Sequence, residues 1–501
     1  MCGVIGIISK EPVSGRLISG SERLQNRGER SVRIVTYDRE KNLFFQNGGL
    51  KPPSLQFFDF NPNNAPGCSG IAHTRYATVG DLDPASLSRN IQPVLTDRPG
   101  MATCSNGDLV NHHSLMQKLR DNGFSFDTQV DAKVTQHILI KHLINSKFYQ
   151  AEKIDEFIDT LFGSVQSTMN ELVGAYSALC LMEKGLLAFK DPHGIRPLCY
   201  AHRENSKGEI IEWAFASEST VFNYFGDYHG ITEVEPGEAV FISNENLDKI
   251  YKKRLVKSRE AFCFFEFCYF ARPDSLFKGK YVEVVRRTMG HILAEEYSHL
   301  KDQIDTVCGL PGTAITTGLS FAHQLGLPYH QAIIKVGNKR SFQETSSNKR
   351  QKAIDDKFIF IRHFIEGKRV AIVDDSNVRG TTSKKIIKRL HSLGAKEVRF
   401  LFYTPEIVGP CFYGIDTPDE NLLIAYNRSN EEIRKEMGCK GVHYISHDGL
   451  IRGLGIPKEE LCLACLTGDY PTDVAEARQR VKHRRIEREC SDQTEEILPF
   501  C

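Results

Sequence analysis

What the chain lacks narrows the field first. No stretch of its 501 residues reaches the ~18 consecutive apolar residues that a membrane span needs. The opening, MCGVIGIISKEPVSG, has no basic leader and too short an apolar part for a signal peptide, so a cytoplasmic protein is expected. Neither sign of charge is in excess: Lys and Arg number 64, Asp and Glu 63, and the formal net charge is +1. That balance gives no reason to expect nucleic acid or an acidic membrane as partner, although local basic spots can still serve a phosphorylated small molecule. Internal repeats and low-complexity tracts are absent. A second CxxC pair is missing too, so Cys462-Leu-Ala-Cys465 must take any further metal ligands from distant positions.

What is present is a chain 41% hydrophobic and long enough for more than one core. Residues 2–247 read as a β-rich unit with helical inserts. Val4–Ile8, Arg33–Tyr37, Asn42–Gln46, Tyr176–Leu181, Leu186–Phe189 and Gly208–Ser217 are the strand candidates. Helical spacing runs from Leu109 to a stop at Gly123, and again from Ala132 to Leu143. The charged segment Asp248–Arg259 is the expected boundary. Residues 248–469 then change rhythm: a helix over Tyr281–His299, a strand at Thr306–Cys308, a helix over Ala314–Leu325, a strand at Arg369–Val373, a helix over Ser383–Leu393 and a strand at Glu397–Phe402. That alternation predicts a parallel sheet. Residues 470–501 are polar and predict a surface helix with a loose end.

Cys2 follows the initiator Met1. Removal of Met1 would leave a free α-amine, titrating near ~7.7 to 8, on the residue that also carries the thiol. One residue then supplies nucleophile and base, and the carboxamide carbon of glutamine is a suitable target. Alone, Cys2 reads more simply as a terminal cysteine by chance. The residues around it carry the case. Asn106-Gly107 supplies an amide side chain and a permissive backbone N–H for an oxyanion. Arg75 can hold a carboxylate as a fork, and Asp131 can take an ammonium.

These segments, CGVIGI, HTRYATVG (from His73), NIQP (Asn90–Pro93) and SNGDLVN (from Ser105), resemble the N-terminal-nucleophile glutaminase domain of class II glutamine amidotransferases. The resemblance implies a four-layer αββα domain, with Cys2 as nucleophile, Asn106 and Gly107 as oxyanion hole, and Arg75 and Asp131 as glutamine contacts. Asn26, Glu29-Arg30 and Val32-Arg33 depart from the family's usual residues. So do Ser105 and Asp108 beside the oxyanion pair, and Ala132-Lys133 after Asp131.

In RVAIVDDSNVRGTT, Arg369–Thr382, an apolar strand ends in paired acids and a small-residue loop before a helix. Loop N–H groups and a helix N-terminus suit a phosphate, with hydroxyls from Ser376, Thr381 and Thr382. Asp374 and Asp375 can bind ribose hydroxyls or the Mg²⁺ that accompanies a pyrophosphate. A solvated Asp-Asp turn is the bland reading, and the strand feeding straight into the loop speaks against it. The stretch resembles the phosphoribosyl pyrophosphate motif of type I phosphoribosyltransferases. It implies substrate contacts from Asp374 through Ser376 and from Arg379, Gly380, Thr381 and Thr382. In VCGLPGTAI, Gly312 stands where that resemblance expects an acid, while Thr313 keeps a hydroxyl for the metal. Arg340 in VGNKRSFQE, residues 336–344, is the implied contact from a mobile loop that looks one residue short.

Together the two halves resemble the amidophosphoribosyltransferase family, from Cys2 to about residue 472. The expected reaction joins glutamine-derived ammonia, passed through an interior channel, to C1 of phosphoribosyl pyrophosphate. It opens purine synthesis. A homo-oligomer (tetramer or dimer) inhibited by purine nucleotides is implied as well. The alternatives are an amidotransferase with another phosphosugar acceptor and a degenerate nucleotide-binding paralogue.

The 14 cysteines are many for a reducing compartment, where they suggest metal ligands, catalysis or buried thiols. Cys263 and Cys411 are the candidate partners for Cys462 and Cys465. Cys268 reads as a core residue on a Phe-rich strand, Cys439 as a weaker rival, and Cys68, Cys104, Cys180, Cys199 and Cys308 as buried small hydrophobes. Four thiolates suit zinc or iron–sulfur alike. The contexts AFCFFEF, PCFYGID and CLAC resemble the iron–sulfur branch of the family, which implies a structural [4Fe–4S] cluster on Cys263, Cys411, Cys462 and Cys465.

Overall fold

The computed structural model describes residues 1–76, 84–336, 358–417 and 419–482. Arg340, most of the 336–344 loop and the tail from residue 483 lie outside the described residues.

Two antiparallel sheets build the first unit. One has seven strands, in the order β11 (His229–Glu233), β9 (Cys199–Glu204), β10 (Ile210–Ala216), β1 (Gly3–Ser9), β4 (Ser69–Arg75), β2 (Ser31–Asp38) and β3 (Leu43–Gly49). The other has six: β13 (Ile250–Arg254), β12 (Glu238–Ser243), β8 (Gly185–Lys190), β7 (Gly174–Met182), β6 (Gly100–Leu109) and β5 (Val94–Asp97). Strand β1 shows why they stack. Its period of two sends Val4 and Ile8 into the core between the sheets, and Ile5 and Ile7 toward the helix Ser14–Arg23 on the outer face. Gly6 keeps the sheets close, since a Cβ there would stand 3.1 Å from methyls of Leu179 and Leu186. Helices Asp131–Asn145 and Ile154–Glu171 cover the far face of the second sheet. The result is the four-layer αββα arrangement.

Strand β13 still pairs with β12, so hairpin pairing carries this unit to Arg254 rather than to residue 247. The end falls inside the polar segment read as the boundary.

The second unit holds a four-stranded parallel sheet in the order Thr306–Gly309, Arg369–Asp374, Glu397–Phe402 and Gly441–Tyr444. Val370 to Val373 are fully buried, as a strand covered by helices on both faces requires. No helix among the described residues is long and apolar enough to cross a membrane.

Three readings change. The Phe-rich segment is strand only at Phe262–Cys263; Glu266–Phe270 is a π-helical turn, which points the Glu266 carboxylate inward to Arg27. Cys68 is exposed, because it precedes β4 in a turn after Gly67 at φ +122°. The described part of the C-terminal helix, residues 475–482, is docked rather than superficial. Val474, Ala477 and Val481 recur at helical spacing and pack into the core of the second unit. Glu476 accepts from the N–H groups of His113 and Ser114 at 3.0 and 3.1 Å, capping a helix of the first unit.

Candidate active site

The sequence candidates in the first unit converge at the end of β1. The pairing of β1 with β4 sets Gly3 opposite Thr74 and Val4 opposite His73, so Cys2 reaches the level of Arg75. The Cys2 N–H donates to Asn106 Oδ1 at 3.2 Å. Asn106 is buried, and its Nδ2 has no acceptor in the protein. Gly107, next on β6, has φ +140°, and a Cβ there would lie 2.0 Å from the Ala175 carbonyl oxygen, so only glycine fits. Arg75 donates to the Asn90 carbonyl. Gln92 Oε1 accepts from the Ser105 N–H at 2.9 Å, which ties the NIQP segment to the oxyanion strand. Asp131 is the first residue of its helix and accepts from the Leu109 N–H at 2.5 Å.

Burial alone would raise the Cys2 thiol pKa. The imidazole of His73, followed by the N-terminal ammonium and Arg75, outweighs it and brings the thiol down to about 6. Sequence reading missed His73. The available signal was its place two residues before Arg75 on one strand, hence on the same face. Met1, still attached, is buried with the core of the second unit.

Beneath Cys2 sits a buried ion network. Arg27 Nε donates to the Cys2 carbonyl at 2.9 Å, and its guanidinium bonds Glu218 and Glu266, each at 2.9 Å. All three side chains are fully buried. Arg196 reaches Glu266 at 3.4 Å and donates to the Tyr413 carbonyl at 2.8 Å. Asn26, one of the departures, donates to Glu218 at 2.9 Å and to the Phe270 carbonyl at 3.0 Å. Its role there is to join the units.

In the second unit, the candidate loop follows the strand Arg369–Asp374. Asp375 accepts from Thr313 Oγ1 at 2.5 Å and from Ser376 Oγ at 2.6 Å, so the two loops meet at this carboxylate. Burial holds the Asp375 pKa above the usual carboxylate range. Asp374 Oδ1 accepts from the Asp375 N–H at 2.8 Å. Gly380 opens the helix Thr381–Ser392 at φ +69°, and a Cβ there would strike Ile424 at 2.3 Å. Ser376, Arg379, Thr381 and Thr382 therefore share one loop and helix N-terminus. Gly312 has open space beside it but φ +124°, so its backbone, not crowding, favours glycine. Tyr403, missed in the sequence, donates to the carbonyls of Thr313 (3.1 Å) and Cys268 (2.8 Å).

Cys263, Cys411, Cys462 and Cys465 line one small cavity with Arg196, Tyr413 and Ala464, and no carboxylate lines it. Cys263 and Cys462 are register partners on two short parallel strands. Burial pushes Cys263 up to about 11 and Cys462 and Cys465 higher still. Among the described residues, no three His, Cys, Asp or Glu side chains already converge as a metal centre. Cys268 and Cys439 are buried elsewhere, Cys439 Sγ against the Gly441 carbonyl at 3.4 Å.

Comparison with known proteins bears on the whole chain. Residues 79–223 match a family model described as a glutamine amidotransferase domain. An amidophosphoribosyltransferase of Methanocaldococcus jannaschii is 35% identical, over 95% of this chain and 98% of its own length. That of Bacillus subtilis is 34% identical over 94% of each chain. The structure of the B. subtilis glutamine phosphoribosylpyrophosphate amidotransferase complexed with ADP and GMP matches with a TM-score of 0.80 and 33% identity, covering 94% of this chain and 98% of that one. With identity above 30% over 94–95% of its length, the chain belongs to the amidophosphoribosyltransferase family.

Proposed function

We propose that Cys2 and the Asp374–Asp375 loop are the two working centres of the family's reaction: glutamine, water and phosphoribosyl pyrophosphate give glutamate, 5-phosphoribosylamine and pyrophosphate. The observation that carries this is Asn106, which accepts from Cys2 while keeping a buried donor free. Arg75 and Asp131 hold glutamine by its carboxylate and ammonium. The Cys2 thiolate attacks the carboxamide carbon, and the developing oxyanion takes hydrogen bonds from Asn106 Nδ2 and the Gly107 N–H. The amine freed on Cys2 by removal of Met1 carries the proton to the leaving ammonia. Water then opens the thioester to glutamate.

Ammonia passes inward, unprotonated, to C1 of the phosphoribosyl group. The 5-phosphate lies on the Ser376 to Thr382 loop, at the helix N-terminus. Asp374, Asp375 and Thr313 would hold Mg²⁺, which when bound neutralises the departing pyrophosphate. Arg340 is proposed to touch the same substrate.

Cys263, Cys411, Cys462 and Cys465 are proposed to hold a [4Fe–4S] cluster. Their cavity offers sulfur donors alone beside a cationic Arg196, which fits a negatively charged thiolate cluster. It would fasten the C-terminal segment to the second unit. A homo-oligomer restrained by purine nucleotides is also proposed, since the B. subtilis relative is complexed with ADP and GMP. The cytoplasm suits its free cysteines.

The test is Cys2→Ala. Glutamine-dependent product should vanish while ammonia-dependent product continues. Equal loss of both would overturn the assignment.

A further inference from the structure

Asp108 directly follows Asn106 and Gly107, and its surroundings are unlike those of a solvated acid. It stands two residues after Asn106 on β6, and Asp131, at the start of the neighbouring helix, accepts from the N–H of the next residue, Leu109, which brings the two carboxyls together. Arg480 of the C-terminal helix reaches Asp108 at 3.9 Å. His112 Nε2 lies 3.5 Å from Asp131 and, though the ring is buried, has no hydrogen-bond partner. Both carboxyl side chains keep some exposure, 35% for Asp108 and 17% for Asp131, so the pair is reached from solvent.

We propose that Asp108 and Asp131 together form a two-carboxylate seat for the α-ammonium of glutamine, and that Arg480 sets how readily the seat fills. This rests on reading Cys2 as the glutaminase centre. Two carboxyls sharing a proton bind a cation only by releasing that proton. Burial holds both acids above the usual range and Asp131 raises Asp108 further, against the pull of Arg480 and His112 on Asp108 and, on Asp131, of hydrogen bonds from Asp108 and the Leu109 N–H and of Arg480 and Arg75. Glu476, from the C-terminal helix, is the remaining charge facing His112. Glutamine binding should therefore weaken as pH falls, and begin to weaken at a higher pH than one isolated aspartate would make it. Arg480 opposes both the proton and the ammonium. Because its helix packs on the second unit, occupancy of the seat is tied to how that helix is docked.

The experiment compares KM for glutamine with pH in the full-length enzyme and in Asp108→Asn, Asp108→Glu and Arg480→Gln. Asp108→Asn should raise KM about tenfold at neutral pH, the loss of one charge-assisted contact. It should move the pH midpoint of KM downward and leave kcat and ammonia-dependent turnover unchanged. Asp108→Glu should restore most of the pH dependence. Arg480→Gln should lower KM above the midpoint and move the midpoint up, with little further shift in the Asp108→Asn background. An unchanged KM–pH profile in Asp108→Asn would overturn the seat. So would a parallel fall in glutamine- and ammonia-dependent kcat, which marks a structural residue. Glutamine-dependent turnover surviving Cys2→Ala would remove the underlying reading, and the seat with it. A Cys2→Ala null alongside an unchanged Asp108→Asn profile would overturn the seat alone.

Discussion

The Cys2 N–H donates to Asn106 Oδ1, and the other end of that amide, Nδ2, is left as a buried donor with no acceptor. In the proposed reaction, one side chain would both position the nucleophile and keep a hydrogen bond in reserve for charge that develops only during the reaction.

Asn106→Ala should accordingly lower glutamine-dependent kcat by about 10²- to 10³-fold with KM little changed. Ammonia-dependent turnover is the control and should be unaffected. A rise in KM alone would place Asn106 in binding instead.

The thiol at about 6 makes a second expectation. The thiolate exists above its pKa, so in the chain that keeps Met1, whose ammonium helps set that value, alkylation of Cys2 by iodoacetamide should accelerate as pH rises through about 6 and level off by neutral pH. In His73→Gln the largest lowering influence is gone, and the midpoint should move up. Rate against pH, read by mass spectrometry of the Cys2 peptide, checks both.

Arg27, Glu218 and Glu266 are charges without water, so removing one partner strands the others. Arg27→Met should cost about 3–5 kcal/mol of stability, read by denaturant unfolding. Glutamine-dependent activity should fall further than ammonia-dependent activity, because Arg27 also holds the Cys2 carbonyl.

Thr313 and Asp375 join the two loops proposed to hold phosphoribosyl pyrophosphate. Thr313→Val should reduce turnover equally with glutamine and with ammonia, and raise the Mg²⁺ concentration needed for half-maximal rate. Thr313→Ser should recover most of the loss.

Protein purified without oxygen should be brown and hold about four irons and four sulfides per chain. Cys411→Ser should remove the colour, and Cys439→Ser should not. A colourless protein with one tight zinc would refute the cluster while sparing its ligands.

The sequence by itself determined the elements and singled out the candidate residues within each segment. Strand β1, the Arg369–Asp374 strand and the helix after Gly380 follow from local periodicity and turn residues, which act over a few positions. Cys2, Asn106-Gly107 and Asp374-Asp375 were legible because each lies in a compact motif. Only the tertiary structure decided what those motifs meet. His73 matters through β1–β4 pairing, Asp108 through a helix some 370 residues further along the chain, and Glu266 through a π-helical turn that turns its charge inward. Such roles depend on which distant side chains share a buried, weakly screened space, where a charge is costly unless a partner arrives. The partner's address is a property of the packed fold, and no local pattern records it.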